Sequence, residues 1–449
     1  MQKNIIFLTI KSLIFLLFLS SCNQQQLQNL QYHNITLKNQ LRLEFKKFSQ
    51  FKDWNQDNHK DALQAFLHSC RKFSKMSQKK IIDDNFNITA GDFRDVCDIA
   101  EVVKTMDDKQ AKIFFENYFI PFLVVDNEVS KVNFTGYYQP QLIGSRVKKG
   151  KFIHPIYKKP KNLDSKKPFF TREEIANQAL SGDNLELLYV DDAIDLFFAH
   201  IQGSARVITE DGEIIRIGFA ANNGHKYSSI GKYLLDNNLI KPNQANTQDI
   251  KKYLKNNPSQ ANLIMNQNKS FIFFKINDNE NVIGSQGVPL TAERSLAIDN
   301  NFIPFGLPIW LETTMPKIAI DKMMDSDLLA KNNKINKIEQ DLIDKITKNS
   351  PSANFNKNSK DFDNKKEKPP INHNRDQKAE INNQNVNYNH LLISQDSGSA
   401  IKGRVRGDIY FGNNIDSEFR ASYLASKGKY YLLLPIAVVN KIEAIDSKR

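Results

Sequence analysis

Asp396 and Asp408 stand twelve positions apart in the stretch LLISQDSGSAIKGRVRGDIYFG, residues 391–412. Two carboxylates brought together are equipment for general acid–base chemistry. Small residues crowd between them (Ser397, Gly398, Ser399, Ala400, Gly403, Gly407), with one ammonium, Lys402. Leu391, Leu392 and Ile393 precede the first acid, and Ile409, Tyr410 and Phe411 follow the second. The pattern predicts strand, tight turn, strand, with an acid at the end of each apolar run. Glycine lets a backbone turn sharply and lets a ligand approach it, so the stretch suits a cleft wall. Two solvated turn aspartates would leave the same pattern.

The elements that must position these acids begin with helices. Ala62, Leu63, Phe66, Leu67, Cys70 and Phe73 fall on one helical face between His59 and Met76, and Lys109 to Phe122 repeats the spacing. The texture changes at Phe134-Thr135-Gly136-Tyr137-Tyr138-Gln139-Pro140, a strand running into a turn. From there to about Lys275 the segments are short and turn-bounded, including Phe152 to Tyr157, Leu196 to Ile201, Ala205 to Thr209 and Glu213 to Ala220. This predicts a small all-β unit decorated by helical pieces at Thr171 to Leu180 and Ser228 to Asn237. Asp211-Gly212 marks a hairpin. Within the unit, His200-Ile201-Gln202-Gly203-Ser204 is a polar cluster. Gln202 and Ser204 both donate and accept hydrogen bonds, which suits a sugar hydroxyl or amide as well as a satisfied strand end.

Strand texture returns from Val282 to Thr313, where prolines and glycines punctuate a compact barrel. Arg294 there is a candidate orienting charge for a carboxylate. Lys317 to His390 breaks the pattern. Ile335, Ile338, Leu342 and Ile346 could line a lone helix, and Ser350 to His390 is rich in Asn and Lys and too poor in apolar residues to fold alone. Tyr430 to Val439 supplies a last strand.

The 449 residues are 40% hydrophobic and 25% charged, as in a globular protein of two or three domains. The net charge of +12 comes with much Lys in polar stretches and no zinc-type Cys/His spacing or RNA-binding aromatic motif, so no nucleic-acid groove, metal or cofactor is expected. A basic surface also suits an anionic polymer. Lys3 and Lys11 flank an apolar run, Ser12 to Leu19, too short for a comfortable membrane span and fitting a signal peptide. Leu19-Ser20-Ser21-Cys22 resembles a bacterial lipobox, which implies cleavage before Cys22 and a lipid on its sulfur. Asn23 rather than Asp after it favours the outer membrane, facing the periplasm. Cys70 and Cys97 are left in the exported body, either as a disulfide or as two buried thiols.

The motifs GYYQPQLIGSR, HPIYKKP, LFFAHIQGSARV, GFAANNGHKYSSIGKYL, NQNKSFIFF, GVPLTAERSLAID, FIPFGLPIWLET, DSGSAIKGRVRGDIYFG and YYLLLP occur in that order. The series resembles the membrane-bound lytic murein transglycosylase A family from about Phe45 to Pro435. The resemblance implies a mainly β protein with flanking helices: a double-psi β-barrel with a second, smaller β-domain inserted and a glycan groove between them. The expected order is signal peptide 1–22, polar tether 23–44, helical segment plus barrel 45–136 and 281–440, inserted β-domain 137–280, and low-complexity insertion 317–390. The implied reaction cuts the N-acetylmuramic acid–N-acetylglucosamine bond of peptidoglycan without water, leaving a 1,6-anhydro-muramoyl end. The implied catalytic acid is Asp408 of Asp408-Ile409-Tyr410-Phe411-Gly412, with Asp396 as its companion. Ser399 and Glu293 stand where the family usually has Gly, and Ala205 where Gly is common. Tyr137, Gln202, Ser204 and Lys402 are the candidate substrate contacts. The expected partners are peptidoglycan strands and, through Cys22, the lipid of the outer membrane, with a monomeric chain. A hydrolytic glycosidase of the same barrel and a non-catalytic wall-binding lipoprotein are the competing functions.

Overall fold

The computed structural model describes residues 32–125, 134–164, 167–278, 281–316, 385–398, 401–413 and 415–446. The signal peptide, Cys22, residues 23–31 of the tether, the lone helix near Ile335 and residues 317–384 of the insertion lie outside them.

Among the described residues, ten strands form one sheet in the spatial order Ile35–Thr36, Arg42–Phe45, Phe119–Val125, Gly428–Pro435, Pro308–Pro316, Asn385–Asp396, Ser295–Ile298, Gly407–Tyr410, Phe134–Tyr137, Ala425–Ser426. Most neighbours are antiparallel. Ser295–Ile298 is parallel to Asn385–Asp396, and Gly407–Tyr410 is parallel to Phe134–Tyr137. The strands carrying the two acids therefore do not form a hairpin. Ser295–Ile298 lies between them, so a strand far back in the sequence separates the halves of the Leu391–Gly412 stretch. The six-stranded sheet of the other unit runs Ile272–Ile276, Ile214–Asn222, Ser204–Thr209, Gln141–Ser145, Glu186–Val190, His154–Tyr157. Gly212, at φ 89°, turns the expected hairpin.

Several expectations change. Residues 32–44 are not a tether: Ile35, Leu37, Leu41 and Leu43 are buried, and Arg42–Phe45 pairs with Phe119–Val125. Their apolar positions alternate, but polar neighbours dilute the signal. Strand structure begins at Asn385, six residues before Leu391, because Asn387 and Asn389 donate to Asp53 and Asn389 accepts from the Thr313 amide. Leu196 to Ile201 belongs to the helix Ala193–Gln202, not to a strand. Asp192 caps its start by accepting from Ile194 and Asp195, and Gly203, at φ 76°, ends it. The second unit also holds helices Thr247–Asn256 and Pro258–Asn266, so it is mixed rather than all-β. The helix Asp108–Tyr118 passes directly into the strand Phe119–Val125, and the last strand stops at Pro435, where Ile436–Asp446 turns helical. A long apolar run does not distinguish a buried strand from a buried helix.

The helices His59–Phe73, Arg94–Val103 and Asp108–Tyr118 pack on the ten-stranded sheet. Phe66, Phe114, Phe115 and Phe119 form an interlocked aromatic cluster there. Cys70 and Cys97 are joined as a disulfide that closes 27 residues between the first two of these helices. Loop-closure entropy for that length is worth about 3–4 kcal/mol. Reduction under native conditions is expected to lower the free energy of unfolding by about that amount in urea denaturation. A change below about 1 kcal/mol would show the closed loop already structured in the unfolded chain.

Candidate active site

The two acids meet on one rung of the large sheet. Ala297 is the register partner of Asp396 on one side and Asp408 on the other, and Asp408 is in turn opposite Thr135. Strands spaced about 4.8 Å apart put the acids' Cα atoms roughly 10 Å apart across the Ala297 methyl. The register shifts between Leu296 and Ala297 because Asn385–Asp396 carries one extra residue there. Such a bulge re-aims the side chain that follows it. Here it sends Gln395 into the core and leaves Asp396 only partly covered. Gln395 Nε2 donates to Ala65 O (2.8 Å) and Ser69 Oγ (3.0 Å), while Ser295 Oγ donates to Gln395 Oε1 (2.6 Å). A buried amide satisfied on both ends fixes the strand under Asp396.

Asp396 accepts four hydrogen bonds. Oδ1 takes the Ser285 amide (2.8 Å), Ser285 Oγ (2.8 Å) and the Ser397 amide (2.9 Å), and Oδ2 takes the Tyr137 hydroxyl (2.8 Å). Asp408 is surrounded differently. Thr135 Oγ1 donates to its Oδ1 at 2.5 Å, and Arg406 Nη1 lies 2.7 Å from the same oxygen. Arg406 Nη2 also donates to Thr135 Oγ1 at 3.0 Å. Burial pushes the Asp408 carboxyl above the usual carboxylate range. Asp396 adds to that push, while Arg406 and Thr135 oppose it without cancelling it.

Both acids line a cleft of ≈450 Å³ between the two sheets. Its walls include Thr135, Tyr137, Gln202, Asn246, Ser270 and Ser422. Tyr137 is part of the cleft wall. Its ring packs on Tyr410 at 5.3 Å, and its hydroxyl is committed to Asp396. Gln202 lines the cleft and accepts from the Tyr138 amide at 3.1 Å. Ser204 and Lys402 are not brought into the lining. Ser204 starts a strand paired with Ile214–Asn222, and Lys402 is exposed with its ammonium 3.8 Å from Asp299. Arg294 does not orient either acid: it is buried against Asp57 (2.9 and 3.0 Å) and the Leu391 carbonyl.

Thr135, Arg406 and Ser285 went unassigned in the sequence reading. The first two had a signal. In a strand, residues two apart share a face. Thr135 shares a face with Tyr137 in this way, and Arg406 stands two residues before Asp408, just ahead of its strand, so each assigned residue points to its neighbour. Ser285 reaches Asp396 across 111 residues and had none.

Glu293 sits at φ 58°, the left-handed region that favours glycine. The strain of about 1–2 kcal/mol is offset because its carboxylate receives both Arg420 nitrogens (2.5 and 2.6 Å) and the Tyr388 hydroxyl (3.0 Å). Arg420 lies on Ile415–Tyr423, whose Ala421 and Ser422 form cleft wall, so Glu293 ties that wall to the acid-bearing sheet. Ala205 is fully buried in the core of the smaller sheet. No group of three or more His, Cys, Asp or Glu side chains suited to a metal ion occurs among the described residues.

Comparisons with known proteins agree with this layout. A family profile described as "MltA specific insert domain" matches residues 133–275, and one described as "3D domain" matches residues 374–434. The chain is 34% identical over 186 residues to the membrane-bound lytic murein transglycosylase A of Vibrio cholerae, a match covering 41% of this chain and 50% of that protein. The chain thus spans about half the length of the curated relatives it matches. Among solved structures it is similar to the lytic transglycosylase LtgG of Burkholderia pseudomallei, with 28% identity, a TM-score of 0.54 and coverage of 90% of this chain and 97% of that one. It is also similar to E. coli MltA with bound chitohexaose, with 23% identity, a TM-score of 0.58 and coverage of 84% and 90%. At that identity the likeness is one of fold.

Proposed function

We propose that this chain, which belongs to the membrane-bound lytic murein transglycosylase A family, cleaves the β-1,4 bond between N-acetylmuramic acid and N-acetylglucosamine without water. The product carries a 1,6-anhydro-muramoyl end. Peptidoglycan strands occupy the cleft between the sheets, the larger of which is the double-psi β-barrel. A lipid on Cys22 anchors the monomeric chain to the outer membrane from the periplasmic side. Among the described residues no helix is long and apolar enough to cross a membrane.

Asp408 is the general acid and then the base. Its proton passes to the bridging oxygen, and the C1–O bond breaks with positive charge developing at C1. The sugar's own C6 hydroxyl then attacks C1 and gives its proton to the Asp408 carboxylate. Because the nucleophile is already attached to the substrate, effective molarity takes the place of a positioned water. A carboxyl pushed above its ordinary range is suited to begin as the acid.

The observation that carries the reading is the difference between the two acids. A hydrolase needs a second carboxylate free to activate water. Asp396 already accepts four hydrogen bonds, one of them from the hydroxyl of Tyr137, which lines the cleft. It is dressed as a fixed negative charge beside C1 and a support for Tyr137, not as a water-activating base. Tyr137 and Gln202 are the substrate contacts.

Mass spectrometry of muropeptides released from purified sacculi tests the reaction. Anhydro-ended products, about 18 Da lighter than hydrolytic ones, are expected. Reducing ends in their place would select the hydrolase, and retention on sacculi with no release would select a binding protein.

A further inference from the structure

Arg172 is a buried cation with no acid. It is 6% exposed, and no carboxylate pairs with it among the described residues. Nε donates to Asn268 O (3.0 Å), Nη2 to Ser270 O (2.6 Å) and Nη1 to His200 Nδ1 (2.9 Å). A guanidinium can only donate, so Nδ1 is the acceptor and the His200 hydrogen lies on Nε2. Three of five N–H groups are thereby used, and two have no acceptor among the described residues. The charge is gripped between the Phe197 and Phe271 rings, 4.6 and 5.3 Å from its central carbon. Burying a cation without a counter-charge is costly unless something outside the fold supplies one.

The position says what supplies it. Arg172 and His200 line the catalytic cleft and also a second cavity of ≈510 Å³ in the smaller unit. That cavity is walled by Lys148, His154, Glu186, Tyr189, Asn262 and Asn266 among others. The two cavities therefore meet at this pair. His200 is itself 5% exposed, and its Nε2 has no hydrogen-bond partner, a second unmet polar group at the same junction. Burial pulls the Arg172 pKa down only to about 9, so the group stays charged at neutral pH.

We propose that Arg172, backed by His200 and the second cavity, binds a carboxylate carried by the muramoyl residue of the substrate. This assignment rests on the murein reading above. Two carboxylates qualify chemically: the lactyl carboxylate of a peptide-free strand, and a terminal carboxylate of a stem peptide. Either would complete the guanidinium with charge-assisted hydrogen bonds.

Calorimetric titration of the full chain carrying Asp408→Asn, expected to slow turnover about 10²–10⁴-fold, tests this with four ligands. These are neutral chitohexaose, a peptide-free murein oligosaccharide with lactyl carboxylates, its lactyl methylamide, and a stem-peptide-bearing oligosaccharide. A carboxylate form is expected to bind about tenfold or more tightly than its neutral counterpart. Preference for the free lactyl form over its amide assigns the lactyl group, and preference for the peptide-bearing form alone assigns the stem. Adding Arg172→Gln is expected to bring the ratio to within about twofold. The ligand comparison needs no change at Arg172, so a misfolded variant would not decide the matter. Equal affinity for charged and neutral forms, with chitohexaose still bound, would overturn the carboxylate site alone. Failure of every oligosaccharide to bind would overturn the site together with the murein reading.

Discussion

Replacing Asp408 with asparagine is expected to reduce release of anhydro-muropeptides by about 10²–10⁴-fold while leaving the protein at least as resistant to heat at neutral pH. The two halves have one cause. Burial, aided by Asp396, raises the Asp408 pKa in the folded chain. Between the ordinary carboxylate value and the raised one, the folded state holds a proton that the unfolded state has lost. Folding is therefore favoured below the unfolded value, and this contribution disappears as pH rises through the folded one. Above the raised value a charge is kept where the surroundings disfavour it, and asparagine removes that charge with little change in shape. The same shift predicts that kcat/KM of the wild type falls as pH rises past the raised value, because the first step needs the protonated acid. Muropeptide release and thermal melting at neutral pH check both halves. A variant that lost its melting temperature along with its activity would show Asp408 holding the Arg406–Thr135 cluster together instead. A variant with near-normal release would remove Asp408 from the reaction.

Much of this site was legible, and the illegible parts share a physical origin. Asp396 lies just after one apolar run and Asp408 just before another, which places them on strands beside small residues. The sequence cannot say that Ser295–Ile298 lies between those strands, because parallel pairing joins segments about a hundred residues apart and leaves no local trace. The smaller unit was misjudged for a related reason. Leu196 to Ile201 is apolar apart from His200, and only its caps, Asp192 and Gly203, distinguish helix from strand. Tyr137 lines the cleft, and the bond from its hydroxyl to Asp396 depends on a contact 259 residues away. Lys402 and Ser204 looked chemical by type and neighbourhood. Pairing with Asp299 in one case and sheet position in the other keeps both out of the cleft lining. Arg172 carries no sequence signal, since what marks it is that no carboxylate among the described residues pairs with it.

Substituting Lys251 by methionine is expected to destabilise the protein by about 3–5 kcal/mol. Lys251 lies on Thr247–Asn256 of the smaller unit, and its ammonium is 3.0 Å from Asp195 of the neighbouring helix. It also pairs closely with Glu418 of Ile415–Tyr423, the helix that packs on the Phe134–Tyr137 strand of the large sheet. All three side chains are nearly buried, and Gln248 donates to the same Glu418 oxygen at 3.3 Å. Burial acts to lower the Lys251 pKa, but Asp195 and Glu418 outweigh it and hold it well above the ordinary lysine value. The stabilisation is therefore complete below the unfolded lysine value and is lost only as pH rises through the folded one. Methionine keeps much of the length and packing but removes the ammonium with which both carboxylates pair. Urea denaturation at neutral pH should show the loss. Replacing Asp195 and Glu418 with leucine in the same chain should recover most of it, since an apolar trio avoids the desolvation cost. A single variant within about 1 kcal/mol of wild type would mean that water reaches the cluster and screens it. Because Ala421 and Ser422 of the Glu418 helix form cleft wall, the single variant should also raise KM more than it lowers kcat. The ion cluster joins two helices of the smaller unit to the helix that walls the cleft, so its loss should reach substrate binding through that wall.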